Sequence, residues 1–485
     1  MNIIILTQSL EEKHLYGVLE KISCSKEIHN IYLVSSLMHR LDSNLVQKYK
    51  NIDKLHFIIL NNVIENNLHN KEFILSNKVL KDQQYMYSDI LSSLRWLPIS
   101  LREDSDVVEF GMEFYYDLIN YWMDFFNNNK INSLISLNKA HSSLDSILNR
   151  VAKDHNVNNI LTVSLTGANY DTSEIFYSIY NNNTNKYIEL NQYIELEKKE
   201  LSLESNYSNF SDDYKTTFFS KVLFVAYRIR MVLNSGNSFE YKVNLLLKKL
   251  RRIIKSKILL YKNYFYIKSL FKYYNKVSYK NIDISKKYIY YCLHFDPEAA
   301  TLPTDETYFN QLLNIRIVAS SLPEGWRLYV KEHPHQLKCK EYLDVLGNQL
   351  HAIDLFRSKK FYNYINNLDG VYLVDLKSNH KILMQKAQFI VSNTGTVFRE
   401  ANYMKQQCIT FSKHTLYNNL DNVNYVNDTK SCRKVIKEKK DLIDIKVDVN
   451  EMFKNYAYPL NIKEDNSSKM LELIFENKIY KILND

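Results

Sequence analysis

His333, followed by Pro334, is the pairing in this chain best suited to acid chemistry. Proline lacks an N–H and restricts the residue before it, so it ends an extended run and fixes the direction of His333. An imidazole held there can donate to a phosphate oxygen or protonate a departing one. An exposed strand end is the plainer alternative. Further along, Ser392, Asn393, Thr394 and Thr396 surround Gly395, one of eight glycines in the chain. Hydroxyl and amide donors in a turn that opens a helix suit an anion, because free N–H groups and the helix dipole both favour negative charge. Glu400 follows Thr396 by one helical turn. Its carboxylate can accept the hydroxyls of a ribose; a solvated Glu beside an ordinary Ser/Thr cap is the alternative.

Other residues stand where they could assist. The run Leu293-His294-Phe295-Asp296-Pro297-Glu298 places Asp296 and Glu298 just past an apolar stretch. Both are expected at the cleft, binding acceptor hydroxyls or moving a proton, with a capped turn as the alternative. Lys331 precedes Glu332 and points to the opposite face of its strand. In the first part of the chain, His141 and Asp145 open a helix. Asp145 is a candidate base for an acceptor hydroxyl, and helix capping competes with that role. Asp171 and Glu174 are weaker candidates. Asp104-Ser105-Asp106 has metal-ligand spacing but precedes a helix, where carboxylates commonly cap. Neither a dinucleotide fingerprint nor a P-loop is present. A mechanism without metal or cofactor is expected.

These residues need a scaffold of strand ends. Apolar runs at 2–7, 31–36, 55–60, 133–137 and 160–165 read as strands, with helical spacing at 109–126 and 142–155. Alternation of this kind predicts a parallel sheet with covered faces. Residues 170–235 read as less regular. A second series has strands at 288–293, 326–330, 371–374, 389–392 and 407–411, and helices at 312–321 and 378–386. The fold class is therefore α/β, with two Rossmann-like domains facing a central cleft. The expected boundaries are 1–235 for the first domain, 236–283 for a basic helical connector, 284–430 for the second domain and 431–485 for a helical tail.

At 485 residues the chain exceeds one core. Its five cysteines are scattered and lack C-x-x-C spacing, which fits a reducing compartment. The first residues lack the basic start and long apolar stretch of a leader, and no run is long and apolar enough to span a bilayer. The net charge of +9 is concentrated: residues 241–280 hold twelve Lys/Arg and no Asp/Glu. Apolar residues recur there at helical spacing, with aromatics following. An anionic membrane surface is the expected partner, a solvated basic face is the alternative, and nucleic acid is not expected. A cytoplasmic location follows, with peripheral attachment at the inner membrane face as an option.

Three stretches together resemble the bacterial capsular and surface polysaccharide biosynthesis proteins. They are Leu293 with Pro297-Glu298-Ala299 and Thr301, Leu322-Pro323-Glu324-Gly325-Trp326 running into Val330-Lys331-Glu332-His333-Pro334, and Ser392-Asn393-Thr394-Gly395-Thr396-Val397 with Glu400-Ala401. The resemblance covers about residues 285–415 well and the first domain only in outline. It implies a GT-B glycosyltransferase with the nucleotide in the C-terminal domain. Related members use CMP-activated acidic sugars such as Kdo, and bacterial sialyltransferases share a similar His-Pro and Ser/Thr pair. By that likeness His333 meets the donor phosphate, and Ser392, Thr394 and Thr396 help hold the nucleotide. Relatives carry Glu-Pro-His before the first-domain helix; this chain has Lys139-Ala140-His141, without the carboxylate. The expected activity is sugar transfer from a nucleotide donor to a capsular or lipid-linked surface glycan. A sugar-nucleotide epimerase of the same fold and a non-catalytic glycan-assembly scaffold are the alternatives.

Overall fold

The computed structural model describes residues 1–7, 15–35, 49, 51–59, 107–137, 143–165, 174–190, 264–296, 305–334, 336–337, 356–438, 446–461 and 466–481. The first part contains β1 (Asn2–Thr7), α1 (Leu15–Ser23), β2 (Asn30–Ser35), β3 (Leu55–Ile59), α2 (Val107–Asn129), β4 (Ser133–Ser136), α3 (Ser143–Asp154), β5 (Asn158–Leu165), β6 (Glu174–Asn181) and β7 (Lys186–Tyr187). The second contains β8 (Tyr288–Cys292), α4 (Gln311–Ala319), β9 (Arg327–Lys331), α5 (Lys359–Asn366), β10 (Val371–Leu373), α6 (His380–Lys386), β11 (Phe389–Ser392), α7 (Val397–Tyr403), β12 (Cys408–Thr410), β13 (Val423–Tyr425) and α8 (Thr429–Glu438). The chain ends with α9 (Val449–Tyr456), β14 (Tyr458–Asn461) and α10 (Asn466–Glu476).

The strands form two sheets among the described residues. The first has the order β14-β6-β5-β4-β1-β2-β3, with β7 beside β6. The second has the order β10-β9-β8-β11-β12-β13 and is parallel throughout. In each, the chain runs outward from a central strand and then returns to that strand's other side. Two Rossmann-like units result, and the architecture is α/β of the GT-B-like kind. The order reverses between β1 and β4 in one sheet and between β8 and β11 in the other. Ligands of open α/β sheets bind at such a reversal, outside the carboxyl ends of the strands.

The central strands are apolar without alternation because helices cover both faces. Ile3, Ile4 and Ile5 are fully buried, as are Ile289, Tyr290 and Tyr291. Each such aliphatic side chain contributes about 1.5–3 kcal/mol by leaving water. Helix starts are set by short polar side chains. Asn310 accepts from the Leu313 N–H at α4, Ser358 from Phe361 at α5, and Asn379 from Ile382 at α6.

Four expectations change. The first sheet is mixed: β6 runs antiparallel to β5, and β14 antiparallel to β6. Residues 174–187 are therefore strand and turn where the sequence reads as irregular, because the Asn-rich turn at 182–185 masks the apolar residues of β6. Residues 431–485 are not only a helical tail. α8 and α9 pack on the second sheet, whereas β14 joins the first and α10 covers it. Within 236–283, residues 264–277 are helical, and Leu270 and Tyr274 are buried in the second unit's core. That stretch is part of the second unit rather than a free connector; residues 241–263 lie outside the described residues.

Candidate functional site

Three neighbouring parallel strands deliver the candidate residues to one edge of the second sheet. β9 ends at Lys331 and leads to His333, β8 leads to His294 and Asp296, and β11 leads to the Ser392–Thr396 turn. β8 lies between the other two. Its continuation, His294-Phe295, connects them. The Phe295 ring lies 5.8 Å from the His333 ring, centroid to centroid. On the other side, the His294 Nε2 accepts the backbone N–H of Asn393 and of Thr394, each at 3.1 Å, with the Ser392 hydroxyl at 3.0 Å. Two main-chain donors aimed at Nε2 require that nitrogen to be unprotonated. His294 is therefore a neutral imidazole carrying its proton on Nδ1.

This arrangement divides the turn. The N–H groups of Asn393 and Thr394, expected to serve an anion, already serve His294. Gly395 adopts φ +106°, a conformation that side chains disfavour. The N–H groups of Gly395, Thr396 and Val397 have no acceptor among the described residues. Thr394 and Gly395 are half-buried and Thr396 is exposed. The turn's unbonded N–H groups thus lie at Gly395–Val397 rather than at Asn393 and Thr394. The Thr394 hydroxyl is 3.1 Å from that of Thr415.

Several candidates prove to be framework. Asn393 is fully buried: its side chain donates to Asp305 and to the Tyr308 carbonyl and accepts from Asn314. Ser392 is also buried. Asp296, expected at the cleft, is sealed beneath it. Arg357 Nη1 lies 2.6 Å from its carboxylate, and the Gln311 amide donates to the same oxygen. Arg357 Nε lies 2.7 Å from Glu332, which also accepts from the Tyr362 hydroxyl and the His333 N–H. A buried guanidinium between two carboxylates thus ties the end of β9 to the loop after β8. Burial pushes the Asp296 carboxyl up, and Arg357 opposes that shift. Burial alone would lower the Arg357 pKa, but Glu332 and Asp296 more than reverse this and keep it charged.

Lys331 is buried on the opposite face of β9 and donates to the Ser378 carbonyl at 2.6 Å; burial lowers its pKa. Glu400 lies 3.6 Å from His380 Nε2, whose Nδ1 is 2.9 Å from the Tyr290 hydroxyl. Its carboxylate is therefore oriented by an imidazole, near the turn rather than in open solvent. Pro334 is exposed beside half-buried His333. Asp145 belongs to the other unit. It sits 3% exposed in the first turn of α3, where Asn149 donates to its backbone carbonyl. His141, Glu298, Asp104, Asp106 and Asp171 lie outside the described residues, and Glu174 begins β6. The candidates left at least partly exposed at this edge are His333, Pro334, Thr394, Gly395, Thr396 and Glu400.

Sequence reasoning missed His294, Arg357 and His380 as site components. His294 had a legible signal: it follows a buried strand by two residues, where a parallel sheet presents its side chains. Arg357 had none, because before Ser358-Lys359-Lys360 it reads as one more surface cation.

No protein-family model and no curated protein matches the chain. Among solved structures it is similar to the UDP-GlcNAc 2-epimerase of Methanocaldococcus jannaschii, at 11% identity over 99% of this chain and 100% of that one, with a TM-score of 0.24. It is also similar to the UDP-GlcNAc 2-epimerase of Neisseria meningitidis bound to UDP-GlcNAc, at 13% identity over 99% and 100% of the two chains, with a TM-score of 0.21. A third similarity is to KpsC of Thermosulfurimonas dismutans, a β-Kdo 2,4 transferase, at 12% identity over 44% of this chain and 63% of that one, with a TM-score of 0.21. At these values the likenesses bear on neither substrate nor reaction.

Proposed function

We propose that the chain is a nucleotide-sugar glycosyltransferase. The donor is a CMP-activated acidic sugar such as Kdo or a nonulosonic acid, and the acceptor is a capsular or surface glycan presented at the cytoplasmic face of a membrane. One observation carries the reading: at the β8–β11 reversal, His294 bonds to the Thr394 N–H of the Gly395 turn and the next residue, Phe295, packs its ring against His333. That is where an α/β sheet receives a nucleotide.

In this reading the donor phosphate lies against the N–H groups of Gly395, Thr396 and Val397 and the hydroxyls of Thr394 and Thr396. Glu400, oriented by His380, accepts from the ribose hydroxyls. The bond from the anomeric carbon to the phosphate oxygen breaks as the acceptor oxygen attacks. The nucleotide leaves with the electron pair, and the acceptor proton passes to a base. His333 donates to the leaving phosphate as negative charge gathers there. Donors fixed before the reaction stabilise that charge without reorganising, and in many enzymes this supplies most of the rate enhancement. The sealed Arg357 network ties the end of β9, and so His333, to the loop after β8.

The test offers the purified chain CMP-, UDP- and GDP-sugars. A bound nucleotide at 100 times its Kd stabilises the fold by about 2.7 kcal/mol, readable as a rise in Tm. Stabilisation by CMP-sugars, followed by transfer to a glycan acceptor that His333→Ala slows by about 100-fold or more, is the expected result. A nucleotide sugar epimerised without an acceptor would replace transfer by epimerisation. No response to any nucleotide would leave the scaffold reading.

A further inference from the structure

The helical residues 264–277 have two unlike faces. Ile267, Leu270 and Tyr274, spaced at helical intervals, are buried. This inner face is bonded into the candidate site. The Tyr266 hydroxyl donates to the Arg357 carbonyl at 2.8 Å, Ile267 is grouped with partly buried Phe295, and the Tyr274 hydroxyl accepts the Glu332 N–H at 3.3 Å. The outer face carries Phe265, Lys268, Lys272 and Lys276 in one stripe, with Phe271 on its flank. Phe265 is 64% exposed and Phe271 41%. No carboxylate occurs between residues 241 and 280, and none pairs with these three lysines among the described residues.

A solvated basic face has no use for two exposed phenylalanines. A stripe of cations with aromatic side chains at its end and flank, and no anion of its own, complements an anionic apolar interface. We propose that this face docks on an anionic phospholipid surface, with Phe265 and Phe271 entering the headgroup region and the lysines meeting lipid phosphates. The occupant is a bilayer rather than a nucleic acid, because only Phe265 and Phe271 among the stretch's aromatics are exposed, and Phe265 meets its neighbour Tyr264 edge-on rather than in a stack. The proposal rests on placing the acceptor at a membrane face, and it adds how the chain reaches it. Because the opposite face of the same helical stretch touches Phe295, Arg357 and Glu332, docking holds the candidate site at a fixed height above the lipid.

The test is co-sedimentation of the full chain with phosphatidylglycerol–phosphatidylcholine vesicles and with phosphatidylcholine alone, requiring no sugar. Binding is expected only to the anionic vesicles, weakening as salt rises. The K268Q/K272Q/K276Q variant should bind about 100-fold more weakly, from roughly fivefold per cation lost. F265S/F271S should also weaken binding but keep its salt dependence. Both variants alter exposed side chains, so unchanged thermal unfolding shows that they fold. Vesicle binding by both variants as tight as the parent's, or none by the parent chain, overturns the proposal. Binding to single-stranded RNA that anionic vesicles do not compete, or a dimer that F265S/F271S dissolves, overturns it in favour of those partners. Nucleotide-induced stabilisation measured alongside separates this failure from failure of the transferase reading.

Discussion

One ring nitrogen decides the chemistry of the Gly395 turn. His294 Nε2 accepts two main-chain N–H groups, so the imidazole occupies the place that an anion would otherwise take at Asn393 and Thr394. In the proposed reading, a donor phosphate therefore lies one residue onward, where the helix begins. Removing the ring should therefore do two things. His294→Ala leaves two N–H groups without their acceptor and lowers stability by about 1–3 kcal/mol in urea unfolding. It also lets the turn reorganise, so nucleotide affinity falls. His294→Gln places an amide oxygen near the former Nε2 position and should recover most of both losses. Equal behaviour of the Ala and Gln variants would show that the ring acts by bulk alone. The position of His294 just past β8 was legible, but its bond to the Gly395 turn depends on the pairing of β8 with β11, which are distant in sequence.

Elements were legible where burial dictated their composition. The runs at β8, β9 and β11 are apolar on both faces, because helices cover the sheet, and they stand out against polar neighbours. β6 and β14 were not legible: they are antiparallel additions whose pairing is between distant segments. The connection between the β8 and β9 loops was also hidden, since it runs through Arg357, which sequence places among lysines. That connection is testable. Arg357→Met removes one cation from between two buried carboxylates and should cost about 3–5 kcal/mol, because breaking a buried pair leaves uncompensated charge. Arg357→Lys retains the charge but cannot reach Asp296 and Glu332 as a planar fork, so it should recover only part of the loss. Urea midpoints at constant m-value measure both. A loss below about 1 kcal/mol for Arg357→Met would show that water already reaches the network and that it ties nothing together.

At the scale of the whole molecule, the last segment joins the two units. α8 and α9 lie on the second sheet, and the chain then crosses to supply β14 and α10 to the first. A second link runs from β6 and β7, where the Tyr180 hydroxyl meets His414 Nδ1 and the Tyr187 hydroxyl donates to the His414 carbonyl. Thr415 follows and touches Thr394, so the first unit reaches the candidate turn through two residues. The tail contributes Leu460, Met470, Leu471, Ile474, Ile479 and Tyr480 to the first unit's core. At about 1.5–3 kcal/mol for each side chain, these six together are comparable to the roughly 5–15 kcal/mol that typically separates a domain from its unfolded state. Salt bridges from Lys21 to Glu472 and Glu476 are exposed and add little. A chain ending at Tyr456 should therefore lose the first unit while keeping α8 and α9 on the second. Hydrogen exchange should show fast exchange at β1, β2, β4 and β5 and continued protection at β8, β9 and β11. If the first sheet stayed protected, its core would not depend on the tail. If both sheets lost protection together, the two units would fold as one cooperative body, and the links through His414 and the tail would be stronger than either core alone.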